Sequence, residues 1–197
     1  MPRLYLASNN RHKAAELQQL LSTLKPAWTV SLARELDPAI AWDECGETFL
    51  ANARIKAEAV RALTKDCVLA DDSGLVVDAL GGLPGVHSSR YAGREGDDLG
   101  NNAKLRAATS HFEAAQLTAR FMCTLYFIDA AGEGHAFTGS CEGHLTHTPS
   151  GKQGFGYDPL FVPSGGTKTM ADMESAEKNA ISHRSKAFAA FARWLQG

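Results

Sequence analysis

The sequence predicts an α/β fold: a mixed β-sheet flanked by helices, in a single domain spanning residues 1–197. Three observations lead there. Short apolar runs alternate with amphipathic stretches through the first half of the chain, the pattern of strands interleaved with helices. Two β-rich runs, 120–129 and 135–145, flank the turn-forming Ala130-Ala-Gly-Glu-Gly134, which reads as an antiparallel hairpin in the same sheet. The chain is 197 residues long and 44% hydrophobic, enough to bury a substantial core, and no repeat, low-complexity segment or linker divides it.

Taken in order, Arg3 to Ala7 is a first strand, broken by Ser8-Asn9-Asn10, whose side chains suit a helix N-cap. A helix follows with Leu17, Leu20, Leu21 and Leu24 on one stripe, ending near Pro26. Trp28 to Leu32 is a second strand, and 34–47 is a polar loop in which Asp43, Glu44 and Glu47 cluster. Thr48 starts a helix to about Leu63, with Phe49, Ala53, Val60 and Leu63 on its apolar face. Cys67 to Ala70 is a short buried strand that stops at Asp71-Asp72-Ser73-Gly74, the glycine permitting a sharp turn. Leu75 to Leu80 is a short apolar segment, followed by glycine-rich loops at 81–85 and 87–93, and a helix over roughly 94–115. After the hairpin, 149–156 is a loop and 157–162 regains strand character. A helical stretch from Ser175 reaches Ser182-His183-Arg184, and Phe188, Phe191, Ala192 and Leu195 form a terminal packing face.

Composition excludes several classes. The net charge of −2 provides no broad basic surface for nucleic acid. No apolar run approaches a membrane span, and the N-terminal stretch has no signal-peptide core, so a cytoplasmic protein is expected. The four cysteines form no C-x-x-C pair and suit free thiols in a reducing compartment.

Some polar residues stand where packing alone does not ask for them. Asp71 and Asp72 fall at the carboxyl end of their strand, where α/β sheets place ligands. Adjacent carboxylates repel unless a cation or proton lies between them, so the pair reads either as a Mg²⁺ site for a phosphate substrate or as an Asp-Ser-Gly turn. Lys13 lies in the first turn of its helix, where the dipole disfavours a cation unless an anion docks there; the alternative is a solvated lysine. Asn52 and Lys56, spaced i, i+4, fall on the apolar stripe of theirs, which suits a lysine paired with an anion or one at the helix edge. His144 and His147 look like a metal pair, but in a strand they face opposite sides.

The motifs in sequence resemble those of the inosine triphosphate pyrophosphatase family. They are Ser8-Asn-Asn-Arg-His-Lys13-Ala-Ala-Glu16, Glu44-Cys-Gly-Glu-Thr-Phe49 with Asn52-Ala-Arg-Ile-Lys56-Ala57, Ala70-Asp-Asp-Ser-Gly-Leu75, Gly81 to Gly93, Asp98 to Leu105, Gly154-Phe-Gly-Tyr-Asp-Pro-Leu-Phe161 and Glu177 to Arg184. The resemblance implies a long mixed central sheet with two lobes around a nucleotide cleft. It also implies Mg²⁺-dependent attack of water on the α-phosphorus of (d)ITP or XTP, releasing pyrophosphate. Carried over residue by residue, Asp72 is the general base and a metal ligand, and Glu44 helps hold the metal. Asn10, Lys13 and Lys56 hold the triphosphate with Ser73 assisting, and Ser8, Asn9, Arg11 and His12 also bind substrate; Phe155 stacks on the purine, and Gly156, Tyr157 and Asp158 line the pocket. Lys178, His183 and Arg184 face the base, where cationic and imidazole donors reward a 6-oxo group. Asp71 supports the site or adds a further metal ligand. A homodimer is implied as well.

The chain departs from the family pattern at Ala51, where a glutamate is usual, and at Cys141, where a bulkier residue is common. The first leaves Glu44 and Asp72 as the carboxylate pair; the second alters the pocket wall. Two other readings stand beside the main one: a pyrophosphatase for pyrimidine or modified nucleotides, and a nucleotide-binding sensor without catalysis.

Overall fold

The structure, a computed structural model, describes residues 3–8, 10–24 and 28–196, without the side chain of Arg11. Asn9, Pro26 and the Arg11 side chain therefore lie outside the described residues. The order is β1 (Arg3–Ala7), α1 (Arg11–Leu21), β2 (Thr29–Leu32), α2 (Phe49–Arg61), β3 (Cys67–Val77), α3 (Asp98–Thr109), β4 (Thr118–Ile128), β5 (Gly134–Leu145), β6 (Phe161–Pro163), α4 (Ser175–Ile181) and α5 (His183–Leu195). The six strands are ordered β2-β1-β3-β4-β5-β6. β1 pairs in parallel with β2 and β3, while β5 and β6 are antiparallel, so the sheet is mixed as expected. The turn joining β4 to β5 closes with a bond from Asp129 N to Glu133 O (3.0 Å).

The chain folds into two compact units, one of residues 1–72, 123–139 and 184–197, the other of 73–122 and 140–183. Because the chain passes between them repeatedly, no linker announces the division in the sequence.

The first unit shows strand alternation plainly. Leu4 and Leu6 of β1 and Cys67 and Leu69 of β3 pack with Leu17 and Leu21 of α1 and with Phe188 and Phe191 of α5. Their neighbours Tyr5, Ala7, Val68 and Ala70 pack with Ala57 and Val60 of α2. One sheet face thus carries α1 and α5 and the other carries α2, as a period of two requires. The second unit has its own core, in which Leu75, Val77, Leu105, Leu117, Phe121, Tyr157, Leu160 and Phe161 are all buried.

Four local expectations are corrected. β3 does not stop at Ala70: it continues through Asp71-Asp72-Ser73-Gly74 to Val77, with no turn at Gly74. What stops at that level is its parallel neighbour, since the last β1–β3 pair is Ala7 with Ala70. The aspartates are therefore mid-strand, just past the carboxyl end of β1. The third helix is confined to Asp98–Thr109, because Asp97 caps it by accepting from Gly100 N (3.0 Å). Residues 158–160 form a 3-10 turn and the strand after it is only Phe161–Pro163. The helical stretch from Ser175 breaks at Ser182, whose backbone is extended (φ −65°, ψ 152°), so that α5 starts afresh at His183.

Candidate active site

In the first unit, α2 brings its polar i, i+4 pair to β3. Thr48 caps the helix through Ala51 N (3.1 Å), which sets the phase that turns Asn52 and Lys56 inward. Asn52 is fully buried; its Oδ1 accepts from Gly46 N (2.8 Å) and its Nδ2 donates to Asp72 Oδ2 (3.2 Å). The Lys56 ammonium, 4% exposed with its residue, donates to Asp72 Oδ1 (3.2 Å) and Glu44 Oε1 (3.0 Å). Both oxygens of Asp72 are thus held, and Glu44 shares its cation. Burial first, with the like charges of Glu44 and Asp71 behind it, pushes the Asp72 carboxyl above the usual carboxylate range against the pull of Lys56 and Lys13. Burial acts to lower the Lys56 pKa, but Asp72, Asp71 and Glu44 together hold it above its ordinary value. A buried carboxylate with a raised pKa and a fixed orientation suits a general base.

Asp71 belongs to a different group. Being adjacent on a strand, it points to the opposite face from Asp72, continuing the Cys67 and Leu69 row towards α1 and α5. Its Oδ2 lies 3.5 Å from Lys13 Nζ of α1 and 4.0 Å from Arg184 Nε of α5. Arg184 also bonds Glu16, one turn after Lys13. Burial would raise the Asp71 carboxyl, but Lys13, Lys56 and Arg184 outweigh it and keep it below the usual range. Asn10 caps α1 by accepting from His12 N (3.0 Å) and Lys13 N (3.1 Å), which fixes Lys13 in the first turn. His12 is exposed and Ser8 is buried, its hydroxyl donating to Asn10 O (3.4 Å).

The second unit gathers a different set. Asp158 Oδ2 accepts from Lys178 Nζ (2.8 Å) and from Phe155 N (2.9 Å), and the ammonium sits 4.8 Å from the centroid of the Phe155 ring. Gly154 is required here: its φ is +76°, and a Cβ would lie 2.1 Å from Asp158 Oδ2. His183 is buried and stacks on Phe121 at 4.9 Å and 12°. An aromatic face beside a fixed ammonium is an arrangement that can receive a planar heterocycle with acceptor oxygens.

Two expected pocket residues have hydrogen-bond or ion-pair partners on other elements. Tyr157 is a core residue, 3% exposed, and its hydroxyl donates to Ser88 O (2.8 Å); burial pushes its pKa upward. Arg184, expected to face the base, ion-pairs with Glu16 and lies 4.0 Å from Asp71 within the first unit, on α5, which starts afresh at His183. Ser73 is half-buried on β3. Asn52 and Glu16 are site residues to which sequence reasoning gave no role; the i, i+4 spacing of Asn52 to Lys56 and the i, i+3 spacing of Lys13 to Glu16 are the signals that mark them. His144 and His147 are both exposed.

The donor set can be tested against a metal. Among the described residues no three His, Cys, Asp or Glu side chains gather into a metal-holding group. Glu44 and Asp72 do converge on one ammonium, as two hard oxygen donors that need a shared positive charge. That fits Mg²⁺, which takes one or two carboxylates and completes its shell with water and substrate phosphate.

A family model described as the Ham1 family matches residues 4–194. A Treponema denticola protein named dITP/XTP pyrophosphatase is 40% identical over 200 residues, covering 99% of this chain and 99% of that protein. The structure of the Staphylococcus aureus Ham1 protein is similar at a TM-score of 0.89 and 35% identity, covering 99% of this chain and 98% of that one. A HAM1 protein from Coxiella burnetii gives 0.89 and 36%, with coverage of 100% and 99%.

Proposed function

The chain belongs to the Ham1 family, and on that footing we propose that it hydrolyses non-standard purine nucleoside triphosphates (dITP, ITP and XTP) to the monophosphate and pyrophosphate. The observation that carries the chemistry is the Asp72 carboxylate, gripped on one oxygen by Lys56 and on the other by Asn52. Asp72 accepts a proton from the attacking water, its raised pKa bringing it closer to the working range of a base. Asn52 keeps the carboxylate from rotating. Lys56 and Lys13 offer positive charge to the triphosphate. Glu44 and Asp72 would hold Mg²⁺, which supplies neutralisation of the charge that builds on the phosphates.

Base recognition falls to Phe155, Lys178 and His183 in this proposal. Phe155 offers a ring face, and Lys178, already oriented by Asp158, offers a donor to a 6-oxo group. An adenine amino group would leave such a donor unmatched, which is a strong basis for rejection.

The same reading extends to a homodimer in the cytoplasm that binds no nucleic acid. Leu99, 87% exposed, and Leu83, 47% exposed, supply apolar surface on the second unit for another copy. The buried thiols of Cys67 and Cys123 are free, which suits a reducing compartment. The deciding assay incubates the protein with Mg²⁺ and ITP, XTP, dITP, GTP, ATP, dUTP or dTTP and identifies the phosphate released. Pyrophosphate from ITP and XTP is expected. Orthophosphate, a preference for dUTP, or tight ITP binding without turnover would overturn the proposal.

A further inference from the structure

We infer that Asp98 and Asn102 of α3 are positioning residues for base recognition, holding the backbone on both sides of Gly156 and thereby aiming Phe155. The inference rests on the reading that Phe155 and Lys178 take the base. Asp98 and Asn102 lie one turn apart and so share a face of α3. Asp98 Oδ2 accepts from Gly156 N (2.7 Å), and Asn102 Nδ2 donates to Gly156 O (2.7 Å). The two peptide groups that flank Gly156 are therefore gripped, one at its N–H and the other at its C=O, by side chains of one helix.

The Asn102 amide also donates to Asp98 O within the helix (2.7 Å), while the capping duty open to Asp98 is discharged by its neighbour. An acid at a helix start ordinarily caps it, but Asp97 does so through Gly100 N. The neighbouring Asn101 serves a second loop, its Oδ1 accepting from Ala92 N (2.7 Å) and its Nδ2 donating to Ser89 O (3.2 Å). The first turns of α3 thus tie down the 87–93 loop and the 149–156 loop, which accounts for the Asp98 to Leu105 motif that the chemistry above leaves unused.

Gly156 sits at φ +61°, a left-handed conformation between the two aromatic residues. Phe155 is fixed on its other side by the bond from its own N–H to Asp158, and Tyr157 by its hydroxyl on Ser88 O. With all three anchored, the Phe155 ring meets a purine without first losing backbone freedom, which is how preorganisation raises affinity. Removing the α3 grip should free the loop and weaken the base contribution alone.

The test compares Asp98→Ala, Asn102→Ala and the acceptor-retaining Asp98→Asn with the parent, using calorimetric binding of IMP and, separately, of inorganic tripolyphosphate. Both alanine variants should weaken IMP roughly 5- to 20-fold, the scale of one or two lost hydrogen bonds, with tripolyphosphate affinity within about twofold of the parent. Asp98→Asn should restore most of the loss, and KM for ITP should rise more than kcat falls in the alanine variants. A parallel fall in IMP and tripolyphosphate affinity overturns the inference, since a merely structural role moves both. Phe155→Ala separates the two layers. If it weakens IMP while the α3 variants do not, the inference alone fails; if it leaves IMP intact, the base-site reading fails and takes the inference with it.

Discussion

Replacing Lys56 with methionine removes a buried ammonium while keeping a side chain of similar length. In the parent that ammonium lies 3.0 Å from Glu44 and 3.2 Å from Asp72. At an effective dielectric of about 20, each contact amounts to about 5 kcal/mol of gross Coulomb attraction. Most of that is offset by the cost of burying the charges, and breaking a buried pair costs about 3–5 kcal/mol net because the surviving carboxylates are left uncompensated. For a chain of this size the melting temperature should fall by roughly 6–20 °C at pH 7.

Two dependences separate this cause from a mere packing defect. Lys56 has a raised folded pKa, so its stabilisation is fully present below its unfolded value and is lost only in strong alkali; the loss in the variant should therefore show across neutral pH. Towards acid, Asp72, whose carboxyl is raised, protonates and the gap to the parent should narrow. Mg²⁺ should also rescue the variant, because a cation on the same two carboxylates replaces the missing charge; at a hundredfold excess over Kd the recovery is about 2.7 kcal/mol. Thermal unfolding with and without Mg²⁺ reads all of this. A variant as stable as the parent at pH 7, or one whose melting temperature ignores Mg²⁺, would refute the argument that Glu44 and Asp72 form a cation-demanding pair.

Asp72→Asn should abolish turnover, by at least about a thousandfold if it removes the base, while the variant still folds; rates near the parent's, measured as pyrophosphate release, would exclude it. Asp71→Asn should destabilise the protein yet leave the Mg²⁺ concentration for half-maximal rate unchanged, and a shifted metal requirement in a titration would show that the strand faces do not separate the two acids. Tyr157→Phe should cost about 1 kcal/mol of stability for its lost bond to Ser88 and leave the ITP-to-ATP ratio of kcat/KM alone. In the pH profile of kcat/KM, the acid limb should lie above the ordinary aspartate value of about 3.9, since the ionised base is required and the Asp72 pKa is raised; a limb at or below that value would remove Asp72 as the titrating group.

Features governed by local pattern were legible in the sequence. The i, i+4 stripe of α2 located Asn52 and Lys56, and Asn10 and Thr48 are the caps their residue types suggest. The mixed sheet followed from the 120–145 hairpin pattern. Features set by distant partners were not legible. Tyr157 looks like a pocket aromatic until its hydroxyl is seen on Ser88, 69 positions away. Nothing local to Arg184 announces its ion pair with Glu16, 168 positions away.

The Asp71-Asp72 pair shows why local reading fails where chemistry is densest. Four polar or turn-forming residues after a short apolar run look like a strand end, because a strand without a covered face has no reason to persist. Here β3 persists because both faces remain occupied after β1 ends at Ala7, opposite Ala70. Lys13 and Arg184 meet Asp71 from one side, and Asn52 and Lys56 meet Asp72 from the other. The opposite pKa directions of the two acids follow from that division. Asp71 is held below the ordinary range and stabilises the fold at neutral pH, a contribution lost as pH falls through its folded pKa. Asp72 is raised, so its contribution to folding is full only below the unfolded value and is lost as pH rises through the folded one. One acid thus holds the cations of α1 and α5 in place, while its neighbour carries a stability cost at neutral pH, as befits a group kept for chemistry.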